Sequence, residues 1–315
     1  MKKVYSDRIH LFLYLRFSSE MKTKIFKPDF PRFDAILKFA IAPRPICFVS
    51  TVDLNGNINL SPFSYFNIVS QHPPVCLFSP LRRVDDNSQK HTLDNLLEVP
   101  ELVINIVNYP MVQQQSLAST EFPRGVNEFE KSGLTPLTSH LVKPPRVAES
   151  PVQLECRVRH IIPIADSPGA GNLVLADILL MHVQEEQVDE DGRVDQAKLD
   201  LVARLGGDWY CRITEDNLFQ VKKPAKKLAV GVDELPSAIR NSAVLTGNHL
   251  GMLASVEHLP AESESDEMRY DPDIQEILNA FIGDPSTRQI HLHRKAAELL
   301  DQGDVSSAWK VLLLS

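Results

Sequence analysis

The chain has 315 residues, 43% hydrophobic and 23% charged, which supplies a full core and excludes disorder of the whole chain. Its 33 basic and 41 acidic residues give a net charge of -8. With no long Lys/Arg block either, no nucleic-acid partner is expected, and small molecules are the better ligands.

Four cysteines, Cys47, Cys76, Cys156 and Cys211, form no C-x-x-C pair. That argues against a structural zinc site and a disulfide framework, and it fits a reducing cytoplasm. The opening "MKKVYSDRIHLFLYLRF" sets lysines before an apolar stretch, but the stretch contains His10 and is closed by Arg16 without a small-residue cleavage site, so it is not read as a signal peptide. Met21 offers a second start, and residues 1–29 are expected to form an N-terminal extension whose first 20 residues come from start-codon choice. Nothing approaches the ~18 consecutive apolar residues of a membrane span, so no membrane partner is expected.

Ile46–Val52 is rich in β-branched and apolar residues, "DLNGN" supplies a turn, and the chain returns through Asn59–Ser64 as a hairpin. Further strands are predicted at Val75–Ser79, Leu102–Val107, Val152–Ile164 and Leu173–Val183, the last two joined by "ADSPGAGN". Between them "HTLDNLLEV", with Leu93, Leu96 and Leu97 on one face, and "MVQQQSLAST" after Pro110 read as short helices. Up to Tyr210 the strands outnumber the helices and do not alternate with them, which predicts a mainly β fold, an antiparallel barrel with inserted short helices.

After Cys211 the texture changes. "FQVKKPAKKLAVGV" is basic and proline-broken, and "AESESDE" reads as a solvated linker. "DPDIQEILNAFIG" carries a helix signature, with Asp271 as N-cap, Pro272 in the first turn, a stripe of Ile274, Ile277, Leu278, Phe281 and Ile282, and Gly283 past the end. "PSTRQIHLHRKAAELLDQG" repeats the design with Ile290, Ala297 and Leu300. The expected domains are therefore a barrel at 30–212 and a mostly helical extension at 213–315, whose stripes should pack onto the chain's own barrel.

The common dinucleotide, nucleotide, hydrolase and zinc-protease motifs are missing, and "HLH" at 291–293 does not make a metal pair because i and i+2 diverge on a helix. The segment "STVDLNGNINLSPFSYFN" offers a different chemistry. A flat heteroaromatic ligand needs an apolar shelf, polar groups for its edge, and hydroxyls or a cation for any phosphate. Ser50 and Thr51 leave one strand, Asn59, Ser61 and Ser64 return beside it, and Phe63, Tyr65 and Phe66 are flat. Ser88, Lys90 and Thr92 in "SQKHTLDN" stand just ahead of a short helix, where an anion is favoured.

"APRPICFVSTVDLNGNINLSPFSYFNIVSQHPPVCLFSP", "KHTLDNLLEVPELVINIVN" and "LVARLGGDWYCR" together resemble the flavin reductase-like, FMN-binding split-barrel family, over about residues 30–212. The tail resembles an extension seen in a longer subset. The resemblance implies a Greek-key split barrel and FMN across its mouth at a homodimer interface. The flavin ring would lie against Ser50, Thr51 and the segment Ser61, Phe63, Ser64, Phe66 and Asn67, with its phosphate near Lys90 and Thr92 and Arg44 contributing. Relatives often show Lys-Asp-Thr where this chain has Lys-His-Thr at His91, and Gly-Glu where it has Ala176-Asp177. Arg204, Tyr210 and His182 would approach the flavin or substrate from the other side, with His182 as the candidate catalytic group for proton exchange. The implied activity is an oxidoreductase that reduces flavin with NAD(P)H and passes electrons to free flavin, a partner oxygenase or another small acceptor. The alternatives are an FMN carrier or sensor without turnover, and a split barrel that has lost flavin altogether, to which the departure at His91 gives weight.

Overall fold

The computed structural model describes residues 23–221 and 228–315, so the expectations for residues 1–20 and Met21 lie outside the described residues. Two compact units divide the chain, one ending at Leu218 and the other running from Phe219 to Ser315.

In the first unit a short helix α1 (Phe33–Ala40) leads through β1 (Arg44–Pro45) into β2 (Cys47–Val52), β3 (Ile58–Phe63), β4 (Phe66–Gln71) and β5 (Pro74–Phe78). Helix α2 (His91–Glu98), β6 (Glu101–Ile106), the helices α3 (Val112–Leu117) and α4 (Glu128–Ser132), and the two-residue strands β7 (Pro136–Leu137) and β8 (Arg146–Val147) follow. Two long strands, β9 (Val152–Pro163) and β10 (Asn172–Val183), and two short ones, β11 (Val202–Arg204) and β12 (Tyr210–Arg212), complete it. Seven strands form one sheet in the order β3-β2-β6-β9-β10-β5-β4, antiparallel at every pairing, while β1, β11 and β12 make a smaller sheet. This is the Greek-key split barrel with inserted short helices that was expected, and each strand predicted from Ile46 to Val183 is present with ends shifted by about one residue, an ordinary scatter.

Strand β2 explains why its sequence is a continuous apolar run. Cys47 and Val49 point into one core with Phe78, Ile104 and Leu154, while Ile46 and Phe48 point into another with Leu60, Met111 and Phe129. A strand buried on both faces has no polar alternation to show. The hairpin after it is closed by Asp53, whose carboxylate accepts from the Asn55 and Asn57 backbone N–H groups, and Gly56 takes the left-handed conformation the turn needs at φ 83°. Cys47, Cys76 and Cys156 lie in the first core with no exposure, all four cysteines are free, and burial pushes the Cys47 thiol well above its ordinary pKa.

Helix α2 departs from expectation in its rotation. Leu93 and Leu96 are buried, but Leu97 is 64% exposed. Two polar pairs set the rotation, Asn59 donating to Thr92 Oγ1 at 3.0 Å and Asn95 donating to Thr51 Oγ1 at 3.1 Å. Buried polar groups must be paired, so the helix turns Thr92 and Asn95 inward and Leu97 out.

The second unit holds α5 (Ser237–Arg240), α6 (Gly247–Ala254), α7 (Pro272–Ala280), α8 (Pro285–Asp301) and α9 (Val305–Leu312). Asp271 caps α7 as expected, accepting from Asp273 and Ile274 N–H groups, but the helix stops at Ala280, and Ile282 stays 72% exposed. In α8 the buried face is Leu292, His293, Ala296 and Leu300, so Ile290 points outward at 41% exposure. These stripes are buried among the unit's own helices, together with Leu253 and Trp309. The acidic segment at 261–267 is a run of 3-10 turns in which Ser265 is buried, so it is more ordered than the expected linker.

Candidate functional site

Between the β3 edge and the start of α2 lies a cavity of about 90 Å³. Asn59, Ser61, Pro62 and Phe63 form one wall, Arg83, Lys90 and His91 another, and residues 118–122 with Glu128 close it. Phe63 is part of the barrel core, its ring 5.1 Å from that of Phe78, and it also lines this wall, because it shares its face of β3 with Asn59 and Ser61. Lys90 is the N-cap residue of α2, and the first turn that follows it carries N–H groups without partners inside the helix.

Two cations converge on one carboxylate here. Lys90 Nζ lies 3.0 Å from Glu121 Oε1, and Arg83 Nε lies 3.2 Å from Glu121 Oε2. The hydrogen bond from Lys90, followed by the charges of Lys90 and Arg83, holds the Glu121 carboxyl below its ordinary range. Arg83 is itself fixed by donating to Ser88 Oγ and to the Gln89 carbonyl. Burial and then the neighbouring Arg83 charge push His91 below the ordinary histidine pKa, so at neutral pH it adds no positive charge. Glu128 is buried, accepts from the Leu60 N–H at 2.9 Å and is raised by burial.

A second, larger cavity of about 600 Å³ is lined by Tyr109, Ser116, Arg204, Tyr210, Cys211 and Arg212 with neighbours, and it shares Ser119 with the first. Its cations lie on aromatic faces, Arg204 4.5 Å from the Tyr210 ring centroid and Arg212 3.8 Å from that of Tyr109. Arg212 is also held by Asp200 at 2.6 Å, whereas the carboxylate nearest to Arg204, the fully exposed Asp208, is 4.0 Å away among the described residues. Of the "RLGG" glycines, Gly206 is packed so closely beneath the Phe39 ring that a Cβ would stand 2.4 Å from it, and Gly207 has φ 57°.

The structure thus brings together Asn59, Ser61, Phe63 and Lys90 at one cavity and Arg204 and Tyr210 at its neighbour. Other candidates are elsewhere. Ser50 and Thr51 are wholly buried, Ser50 donating to the Pro145 carbonyl, so neither hydroxyl meets a cavity. Thr92 is buried behind the first cavity as the acceptor for Asn59. Ser88 pairs with Asp86 and Arg83 in an outer groove. Phe66 belongs to the core, Ser64 is half-buried and lines neither cavity, and Asn67 is exposed on edge strand β4. The guanidinium of Arg44 donates to the carbonyls of Lys38, Ile41 and Leu205, pinning α1 to the segment after β11. In this arrangement the guanidinium clamps three carbonyls and lines neither cavity.

His182 lines neither cavity. Its Nε2 lies 2.7 Å from Glu155 Oε1, and its ring stands edge-on to His140 at 5.0 Å. Glu155 has no exposure and also accepts from the backbone N–H groups of His140 and Leu141. Its burial raises the carboxyl, but those three hydrogen bonds together outweigh burial and leave it below the ordinary range. This places His182 in a structural network that ties β9 and β10 to the loop after β7. Arg83 and Glu121 are the residues that sequence reasoning missed; the doubled arginine of "LRRVDDNSQK" was the available signal for the first.

Residues 39–198 match the flavin reductase like domain family. A protein of Aquifex aeolicus, itself uncharacterised, is 40% identical over 172 residues, covering 55% of this chain and 85% of its own length. Among solved structures, nitrilotriacetate monooxygenase component B from Bacillus cereus is 29% identical with a TM-score of 0.59, covering 64% of this chain and all of that one, 100%. The 2-nitrobenzoate 2-nitroreductase of Pseudomonas fluorescens is 27% identical with a TM-score of 0.56, covering 66% of this chain and 100% of its own. With the split barrel and a cation-lined cavity at its β3 edge already in place, the match assigns the chain to the flavin reductase-like domain family.

Proposed function

We propose that this protein is an FMN-dependent oxidoreductase of the flavin reductase type, with NAD(P)H as donor and free flavin, an oxygenase partner or another small molecule as acceptor. The observation that carries the reading is the convergence of Arg83 and Lys90 on a single carboxylate, at a cavity walled by Asn59, Ser61 and Phe63. A site that already holds one anion between a guanidinium and an ammonium fits a phosphomonoester. Lys90 and Arg83 would hold the phosphate, Ser61 and Asn59 would offer polar edges, Phe63 would supply flat apolar surface, and the neighbouring cavity with Arg204 and Tyr210 would receive the rest of the ligand or its redox partner. When bound, FMN supplies the hydride chemistry, and the chain's own work is to orient it and exclude water. The absence of a dinucleotide motif means the nicotinamide donor would visit an open face without a dedicated domain. Barrel boundaries at 30–212 and a cytoplasmic location, with thiols kept reduced, belong to the same reading.

The purified protein should oxidise NADH or NADPH steadily in air when FMN is added, followed as loss of nicotinamide absorbance. A flat trace with both donors, despite measured FMN binding, would favour the carrier or sensor. We also propose a homodimer. Edge strand β4 exposes Ile68 and Val69, and β10 exposes Leu179 and Met181, apolar surface that a second copy would cover. Light scattering should report twice the 35.4 kDa chain mass; a monomer with full FMN affinity would remove the dimer from the proposal.

A further inference from the structure

Glu121 sits where the flavin phosphate would go, and this inference rests on that reading of the site. Its carboxylate touches both cations, yet the side chain is 52% exposed, against 30% for Lys90 and 15% for Arg83. The cations are therefore built into the wall, and the anion between them is the part nearest water. Glu121 also lines a groove of about 470 Å³ on the outer side, together with Arg83, Ser88, His91 and Arg124. The carboxylate thus belongs to the linings of both the cavity and the groove.

We propose that Glu121 is an internal competitor for the flavin phosphate. It occupies the Arg83 and Lys90 pair in the free protein and must let go before a phosphorylated flavin is seated. Its carboxyl is held in the charged form by those same neighbours, so the competition operates throughout the neutral range. A phosphomonoester carries about -1.5 to -2 charges at neutral pH against the single charge of a carboxylate, so the ligand wins the exchange, but at reduced affinity. The consequence is a flavin that enters and leaves as an exchangeable substrate instead of remaining as a resident group. Riboflavin, which lacks the phosphate, gains nothing from the displacement.

The test is a fluorescence titration of the full chain with FMN and with riboflavin, comparing wild type with Glu121→Gln and Glu121→Ala. Removing a half-exposed ion-pair partner should tighten FMN by about 3- to 10-fold and leave riboflavin within about twofold. Thermal melts of each variant confirm that the fold is retained, and agreement between the two variants excludes an effect of the new side chain. Weaker or unchanged FMN binding would overturn the proposal, because Glu121 would then support the site or be indifferent to it. Equal tightening of both flavins would overturn it too, since the gain would not act through the phosphate. The underlying site reading fails by a different sign, a wild-type protein that does not distinguish FMN from riboflavin at all.

Discussion

Lys90→Ala will weaken FMN by about 10- to 100-fold while changing riboflavin by less than about twofold, as measured by titration of flavin fluorescence. A hydrogen bond to a charged group is worth about 1.5–3 kcal/mol, and only FMN presents the phosphate that Lys90 would meet. Lys90 is 30% exposed and its present partner, Glu121, is more exposed still, so the substitution leaves no buried charge behind and the fold should be intact. Arg83→Ala should act in the same direction but with a larger loss, since Arg83 also fixes the loop by donating to Ser88 and Gln89. Equal losses for both flavins in the Lys90 variant would show that the anion site is elsewhere.

Glu155→Ala is the substitution with the largest expected effect on stability, about 3–5 kcal/mol in a denaturant titration. Glu155 is fully buried and gathers the His140 N–H at 2.8 Å, the Leu141 N–H and His182 Nε2 at 2.7 Å. Its removal takes away the one carboxylate that two backbone donors and a ring nitrogen share, in a part-buried setting. Glu155→Gln keeps the size and part of the hydrogen bonding and should cost less. The folded carboxyl lies below its ordinary pKa, so its contribution is complete above the unfolded value of about 4.3 and is lost as the pH falls through the folded value. Acid unfolding of the wild type should therefore begin below about pH 4.3 through this group, and the alanine variant should lack that component. A loss under about 1 kcal/mol would show that the network is not structural and would return His182 to consideration as a catalytic group.

The fold was legible because its signals are local. The turn at Asp53 to Asn57, the paired long strands with "ADSPGAGN" between them, and the cap at Asp271 are each written within a few residues. That Lys90, Ser61 and Asn59 would meet at one cavity was legible for a similar reason, since a returning strand beside a helix entrance brings them close. What stayed hidden depends on long-range pairing. Glu121 meets Lys90 across 31 residues of chain, and Arg44 reaches the Leu205 carbonyl across 161. Nothing in the neighbourhood of Arg44 says that its guanidinium is already committed to three carbonyls. Ser50 and Thr51 are a related case. Their hydroxyls sit on a strand buried on both faces, and their partners, the Pro145 carbonyl and Asn95, lie far away in the chain. His182 reads as a catalytic candidate from its place at a strand end, and its pairing with Glu155, on the adjacent strand, cannot be seen there.

The burial of Cys47, Cys76 and Cys156 at the centre of the barrel has a practical corollary. An alkylating reagent added to native protein meets Cys211 first, because that thiol alone among the four is part-exposed and lines the larger cavity. The other three become reachable only when the sheet parts, so the slow phase of labelling is a clock for opening of the whole barrel, read by mass and needing no engineered reporter.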